Sequence, residues 1–336
     1  MIISRTPFRI SFFGGGTDYP AWFEEHGGAT LATTIDKYCW ISCRYLPPFF
    51  EHKSRIIYSK IEHVKSIDEI VHPAVREVLR FMKVKEGVEV HHDGDLPART
   101  GLGSSSSFTV GLLNVLYALK GMMVSKDRLA KEAIHVEQEM CKEYVGCQDQ
   151  TLAAHGGFNY IEFGGDRHLS VTKIIIPEEK LNELQSHLML FFTGFSRMAS
   201  EIAKHQVNNI PKKGKDFKDL YQMTKHALGM LNDHNFKDFG KLLDKAWMIK
   251  RQLSDKITTP YIDEIYEGAK KAGALGGKLL GAGGGGFVLI FAEPEKQAEI
   301  RKRLKGLLEI PFCFERLGTQ VIFYQPDSGK VHPVRK

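Results

Sequence analysis

The chain has 336 residues, 43% of them hydrophobic and 26% charged, with 46 basic against 40 acidic side chains and a formal net charge of +6. That length admits two domains with substantial cores, and the charges are interspersed apart from short basic clusters at 301–305 and 335–336, a poor footing for nucleic acid but compatible with a phosphorylated substrate. With no run of 18 apolar residues, no signal-peptide pattern and five cysteines lacking CxxC spacing, a cytoplasmic protein with reduced, structural thiols is expected.

Taken in order, Ile2–Phe13 reads as a strand or a pair of short strands with Pro7 as a kink. It runs into Gly14, Gly15, Gly16, Thr17 and Asp18, a backbone that makes room for a ligand and then offers it an acceptor. The plain alternative is a tight turn with Asp18 capping the next segment. Residues 30–45, 55–59 and 88–92 read as further strands, around a helix at 73–82.

Residues 96–119, LPARTGLGSSSSFTVGLLNVLYAL, are the focus of the chain. Gly101, Leu102, Gly103, Ser104, Ser105 and Ser106 lead into an apolar run that is hydrophobic nearly all round, the mark of a buried helix. The free N–H groups and partial positive charge of a helix start suit an anion, and serine hydroxyls add capping and phosphate contacts. This reads as a phosphate-cradling loop opening a core helix. A Ser-capped helix after a Gly-rich turn is the bland alternative.

After a break at Gly121, Ser125 caps a helix running to about residue 143, with Ala130, Ala133, Ile134, Met140 and Cys141 as its stripe. Glu137 lies on that stripe, opposite Glu132, Glu139 and Glu143. An inward carboxylate must be paired, protonated or bound to a metal. Gly146 then turns the chain into a polar cluster where Asp149 has no evident partner, and a hairpin follows at 158–166. Residues 188–193 form a buried strand followed by Gly194 and Arg197, an arginine placed to clamp a carboxylate or phosphate. Residues 215–270 are helical in three pieces, broken near 232–235 and 258–260. The tail holds a strand at Phe287–Phe291, a basic helix at 295–307 and strands near Phe312 and Val321. A boundary between 177 and 188 divides the chain into domains 1–180 and 181–336.

In a second Gly-rich loop, KLLGAGGGGFVLIF at 278–291, Gly281, Gly283 and Gly286 formally match GxGxxG but lead into a strand, so the dinucleotide reading fails. No GxxxxGK[ST] and no HRD or DFG element occurs. Phosphate loop, inward Glu137 and Asp149 together supply what phosphoryl transfer needs: positioning, a metal ligand and a base.

The stretches RTPFRISFFGGGTD, LPARTGLGSSSS and KLLGAGGGGF resemble, in order and separation, the three motifs of the GHMP kinases. GGGTD and TGFSR are most similar to the bacterial D-glycero-D-manno-heptose 7-phosphate kinase branch. The resemblance implies an α+β fold, with a ribosomal-protein-like α/β domain followed by a ferredoxin-like α/β domain and ATP bound between them. It implies that Gly101, Leu102, Gly103, Ser104, Ser105 and Ser106 wrap the ATP phosphates, that Ser104 or Ser105 holds Mg2+ with Glu137, and that Asp149, 12 residues after Glu137, is the base. Asp18, with Gly15, Gly16 and Thr17, falls on the sugar side, and Gly281, Gly283, Gly284 and Gly285 brace the phosphate loop.

Galactokinases carry Glu-His where this chain has Gly15 and Gly16, which argues against galactose and leaves room for a bulkier or phosphorylated sugar. Arg9, Arg99 and Arg197 are candidate clamps for a phosphate on that sugar. The implied activity is ATP-dependent phosphorylation of the anomeric hydroxyl of heptose 7-phosphate, feeding nucleotide-activated heptose for surface polysaccharide. A kinase for L-fucose or another free sugar and a non-catalytic sensor of the same fold are the alternatives. The expected partner is a small-molecule sugar phosphate, with no nucleic acid and no membrane; monomer and homodimer are both open.

Overall fold

The computed structural model describes residues 1–47, 49–194 and 199–326. Its first sheet is built on two long strands, β1 (Ile2–Phe13) and β2 (Gly28–Tyr45), paired antiparallel along their length. The register shifts between Pro7 and Phe8. The expected kink is therefore a bulge inside one continuous strand, as a residue without an N–H requires. A short helix, α1 (Pro20–His26), joins the two strands.

Strand β2 is the hub. It also pairs with β5 (Val88–Gly94) and β6 (Phe158–Gly164), while β3 (Ser54–Ile57), β4 (Ile61–Val64) and β7 (His168–Lys173) extend the sheet beyond them. Four helices accompany it: α2 (Pro73–Phe81), α3 (Ser104–Leu119), α4 (Lys126–His135) and α5 (Gln148–His155).

The second sheet has four strands in the order β11-β8-β10-β9: β8 (Leu188–Phe192), β9 (Gly276–Leu279), β10 (Phe287–Phe291) and β11 (Leu308–Glu309). The same half of the chain holds α6 (Glu178–Ser186), α7 (Ala199–Asn232), α8 (Phe236–Lys250), α9 (Pro260–Lys271) and α10 (Gln297–Arg303), of which α7 packs on β1 and β2 of the first sheet and on α8. The chain then crosses back. Short β12 (Phe314–Glu315) pairs with β2 and β13 (Gln320–Tyr324) with β1, and the Thr6 and Thr319 hydroxyls meet at 2.8 Å. A single cut at residue 180 thus leaves two strands of the first sheet in the second segment.

Local chemistry accounts for most boundaries. Asn235 caps α8 by accepting from the Asp238 N–H, and Thr259 caps α9 by accepting from Ile262, with Pro260 in the first turn. These are the two expected breaks. The long α7 starts well before residue 215, because Pro211 and the non-helical Lys213 interrupt its period without ending it. The helix expected to reach residue 143 ends sooner: α4 gives way at Val136–Met140 to a single π-helical turn, which carries Glu137. The basic tail helix likewise shortens to a 3-10 turn, Pro294–Lys296, followed by α10. Helix α5 had no apolar stripe to betray it, since Gln148, Gln150 and Thr151 are buried alongside Leu152, Ala153 and Ala154. Among the described residues, no helix is long and apolar enough to cross a membrane.

Helix α3 is buried from Ser106 through Tyr117 except at Asn114, and it lies on β1 and β2. The closest approach is at Gly111, whose carbonyl accepts from the Ser4 hydroxyl at 3.2 Å; a Cβ there would stand 2.7 Å from Thr6 Oγ1 and 3.2 Å from Ile41 Cδ1. Gly229, in α7, has nothing within 4 Å of its would-be Cβ. Alanine is the better helix former at both sites, yet the outcomes should be opposite. In chemical denaturation, Gly111→Ala is expected to cost about 1–3 kcal/mol by overpacking, and Gly229→Ala to add about 0.5–1 kcal/mol.

Candidate active site

The loop before α3 is a tight glycine turn that runs straight into the helix. Gly101 and Gly103 have φ of 85° and 74°, a left-handed backbone that other residues avoid, and they bring the chain round into the first turn of α3. Leu102 is fully buried, and its carbonyl accepts from the Arg9 N–H at 3.0 Å. The Ser107 hydroxyl donates to the Pro7 carbonyl at 2.8 Å, a second tie to β1. Ser104 accepts from the Arg99 N–H at 3.2 Å, whereas Ser105 is exposed. The free N–H groups of the α3 start and the outward serines therefore share one end of a buried helix.

The second Gly-rich loop, between β9 and β10, lies directly on the first. A Cβ on Gly281 would stand 2.5 Å from the Gly101 Cα, and one on Gly286 would collide with the Thr100 carbonyl. The Gly284 N–H donates to Ile257, and Gly286 exchanges hydrogen bonds with Thr193 at 3.0 Å. Only residues without side chains permit this contact.

Glu137 points inward, as its phase on the helix suggested, and is 2% exposed. Its carboxylate accepts from Ser106 Oγ and Thr109 Oγ1, each at 2.8 Å, and from Gln150 Nε2. Burial pushes the carboxyl up to about 7 against the pull of those three bonds. The serine that meets Glu137 is Ser106, one helical step beyond the expected Ser104 or Ser105. Gln150 Oε1, buried beside it, has no hydrogen-bond partner. One carboxylate beside two hydroxyl oxygens is a hard donor set that fits Mg2+, which commonly takes one or two carboxylates and completes its shell with water and nucleotide phosphates.

Asp149 is not unpaired. Arg9 donates to it twice, from Nε to Oδ1 and from Nη2 to Oδ2, each at 2.8 Å, while Arg9 Nη1 reaches the Gly101 carbonyl at 2.5 Å. Gln148 Nε2 adds a bond to Oδ1 at 3.1 Å. Arg9 is buried, so its fork is committed to Asp149 and the loop and is not a free clamp for a substrate phosphate. The carboxylate lies alongside the loop, its Oδ2 being 3.3 Å from where a Cβ on Gly103 would sit.

Asp18 is buried in the turn after β1, its oxygens accepting from the N–H groups of Gly16 at 2.9 Å and Gln148 at 3.3 Å. Burial raises its carboxyl above the usual range, opposed by those bonds. Any side chain at Gly146 would strike this carboxylate. Thr17, placed with the sugar ligands by its motif, is fully buried, and its hydroxyl is spent on the carbonyls of Gly14 and Ala29. It locks the turn. Gly15 and Gly16 line the same turn. Arg99 is exposed on the loop side, and Arg197 lies outside the described residues.

The structure adds groups that no local pattern announced. Lys250, at the end of α8, and Lys278, in β9, are both buried at this site, and Ser11 Oγ donates to Gln148 Oε1 at 2.7 Å. A lysine closing a helix reads as an ordinary C-terminal cation. Only the packing of the second half against the first turns it inward.

Comparison with known proteins agrees with the geometry. The family pattern of the GHMP kinases N terminal domain matches residues 69–157 and that of the GHMP kinases C terminal matches residues 226–309, between them just over half of the chain. The chain is 29% identical over 324 residues to the D-glycero-alpha-D-manno-heptose 7-phosphate kinase of Campylobacter jejuni, covering 90% of this chain and 93% of that one. It is 25% identical over 329 residues to the bifunctional fucokinase/GDP-fucose pyrophosphorylase of Arabidopsis thaliana, covering 89% of this chain and 30% of that one. Its fold is that of a D-glycero-D-manno-heptose 1-phosphate kinase from Bacteriodes thetaiotaomicron, with a TM-score of 0.76 at 21% identity over 96% of this chain and 98% of that one. Three Gly-rich motifs gathered at one end of a core helix, two family patterns in order and a shared two-domain fold lead to one conclusion: the chain belongs to the GHMP kinase family of phosphotransferases.

Proposed function

We propose that this protein is an ATP-dependent sugar kinase that phosphorylates the anomeric hydroxyl of D-glycero-D-manno-heptose 7-phosphate. The observation that carries the reading is the juxtaposition of the Asp149 carboxylate, held by Arg9, with the Gly101 and Gly103 turn at the start of α3. The heptose kinase of Campylobacter jejuni, similar along nearly the whole chain, supports the choice of sugar. In this reading residues 1–180 bind ATP, and the segment after them closes the cleft through its Gly281, Gly283, Gly284 and Gly285 loop. The enzyme works in the cytoplasm, where ATP and magnesium are supplied.

The roles follow from charge and position. The amides of Gly101, Leu102, Gly103, Ser104, Ser105 and Ser106 receive the ATP phosphates and the negative charge that spreads over the transferred group. Glu137 and Ser106, with the outward Ser104 and Ser105, would hold Mg2+, which neutralises phosphate charge when bound. Asp149 orients the acceptor hydroxyl and takes its proton. Arg9 fixes the carboxylate with two hydrogen bonds and leaves it partly open to the cleft. Asp18 accepts from a further sugar hydroxyl, and Gly15 and Gly16 leave that side of the pocket wide.

A second reading, a kinase for L-fucose, draws on the similarity to the Arabidopsis fucokinase. ADP release across a panel of sugars decides between them: the reading predicts turnover with heptose 7-phosphate and little with unphosphorylated heptose, L-fucose or galactose. Turnover of L-fucose alone would transfer the assignment, and no ADP release with any sugar would leave a non-catalytic sensor. For the mechanism, Asp149→Asn is expected to lower kcat by roughly 10²- to 10⁴-fold with ATP binding retained, the worth of a positioned general base. An unchanged kcat removes Asp149 from the chemistry.

A further inference from the structure

Two buried lysines at the site have no task in the reading above. The Lys250 side chain reaches back from the end of α8, its Nζ donating to the Gly281 carbonyl at 2.8 Å and standing 3.4 Å from where a Cβ on Gly15 would lie. Lys278 Nζ donates to the Phe12 carbonyl at 2.9 Å. Lys250 thus occupies space that Gly15 leaves by lacking a side chain, between the turn that carries Asp18 and the loop that holds Gly281.

The charges around it do not balance. Arg9, Lys250 and Lys278 face the carboxylates of Asp18 and Asp149, and these are the charged groups whose fields Lys250 and Lys278 feel. Asp149 is already engaged by both arms of the Arg9 fork, and Asp18 is engaged by backbone amides. Among the described residues, neither lysine makes an ion pair within 4.0 Å, and Lys250 has a hydrogen bond for only one of its three donors. Burial accordingly pulls Lys250 down to about 8 and Lys278 well below the lysine range. An ammonium taken out of water without a carboxylate is costly. Here it sits against the loop that rests on the proposed phosphate turn.

Resting on the sugar-kinase reading, we infer that Lys250 is a phosphate-binding residue of this cleft, its ammonium taking an oxygen of a phosphoryl group that enters between Gly15 and Gly281. Two sources share that chemistry: the phosphate the acceptor sugar already carries, and the γ-phosphate of ATP. Lys278 stands behind Lys250 and holds β9 to β1. The assignment supplies a buried cation that Arg9, committed to Asp149, does not offer.

The test compares Lys250→Met and Lys250→Arg with the unaltered protein. KM and kcat are measured for heptose 7-phosphate, for unphosphorylated heptose and for ATP; inorganic phosphate binding is read by calorimetry and folding by thermal unfolding. A lost charge-assisted hydrogen bond predicts an effect of roughly 10- to 100-fold, restored in part by arginine. If the sugar's own phosphate is the ligand, KM for heptose 7-phosphate rises by that factor while unphosphorylated heptose is unaffected. If the γ-phosphate is the ligand, kcat falls with both sugars and their KM values hold. A folded Lys250→Met protein with unaltered kinetics and phosphate binding overturns the inference, as does a loss that tracks lowered thermal stability and is not relieved in Lys250→Arg. Should the unaltered protein turn over no sugar at all, the sugar-kinase reading fails by itself. Phosphate binding lost in Lys250→Met would then still uphold the assignment of Lys250, and binding retained would overturn it.

Discussion

Everything at this site depends on a buried guanidinium. Arg9 sits in the middle of β1, and its side chain joins three segments far apart in the chain: it grips Asp149 at the start of α5 with two 2.8 Å bonds and the Gly101 carbonyl with a third, while its own N–H is bonded to Leu102. An arginine out of water is tolerable only when its donors are satisfied and its charge is matched. Here the charge is matched by Asp149, and the Asp149 carboxylate and the Gly101 carbonyl take three of its donors. The strand therefore sets the distance between the start of α5 and the Gly101–Gly103 turn.

Around that pair, the fold removes side chains where backbones must meet. Gly101, Gly281 and Gly286 let two loops from different halves of the chain lie in backbone contact. Glu137 shows the opposite economy: a carboxylate is taken into the core, where burial pushes it up to about 7 while bonds from Ser106, Thr109 and Gln150 pull it down. Burial favours its neutral form, and a nearby cation would favour the charged one. Helix α3 gives both features a rigid base, because nearly all of its surface is packed.

What could be read from the sequence was whatever is local. The Gly-Ser turn and the all-round apolar run of α3 are contiguous, and the caps of α8 and α9 lie within three residues of the N–H groups they satisfy. Glu137 was found from helical phase alone. The π-helical turn that carries it shifts that phase slightly, and the neighbouring serine proved to be Ser106. Helix α5 was invisible because its buried face is polar. Arg9 and Asp149 are 140 residues apart, so the pairing that defines the site leaves no trace in spacing. Lys250 and Lys278 resemble surface lysines until the second sheet is docked, and the return of β12 and β13 to the first sheet is likewise a property of tertiary packing.

The most direct test of this account is a double-mutant cycle on kcat/KM with Arg9→Met, Asp149→Asn and the double variant. If the two side chains act as one unit, either single change already removes most of what the pair contributes, and the double variant is expected to fall within about tenfold of the worse single one. Losses that simply multiply would mean that Arg9 and Asp149 work independently, and the pair would no longer be the element that organises the site.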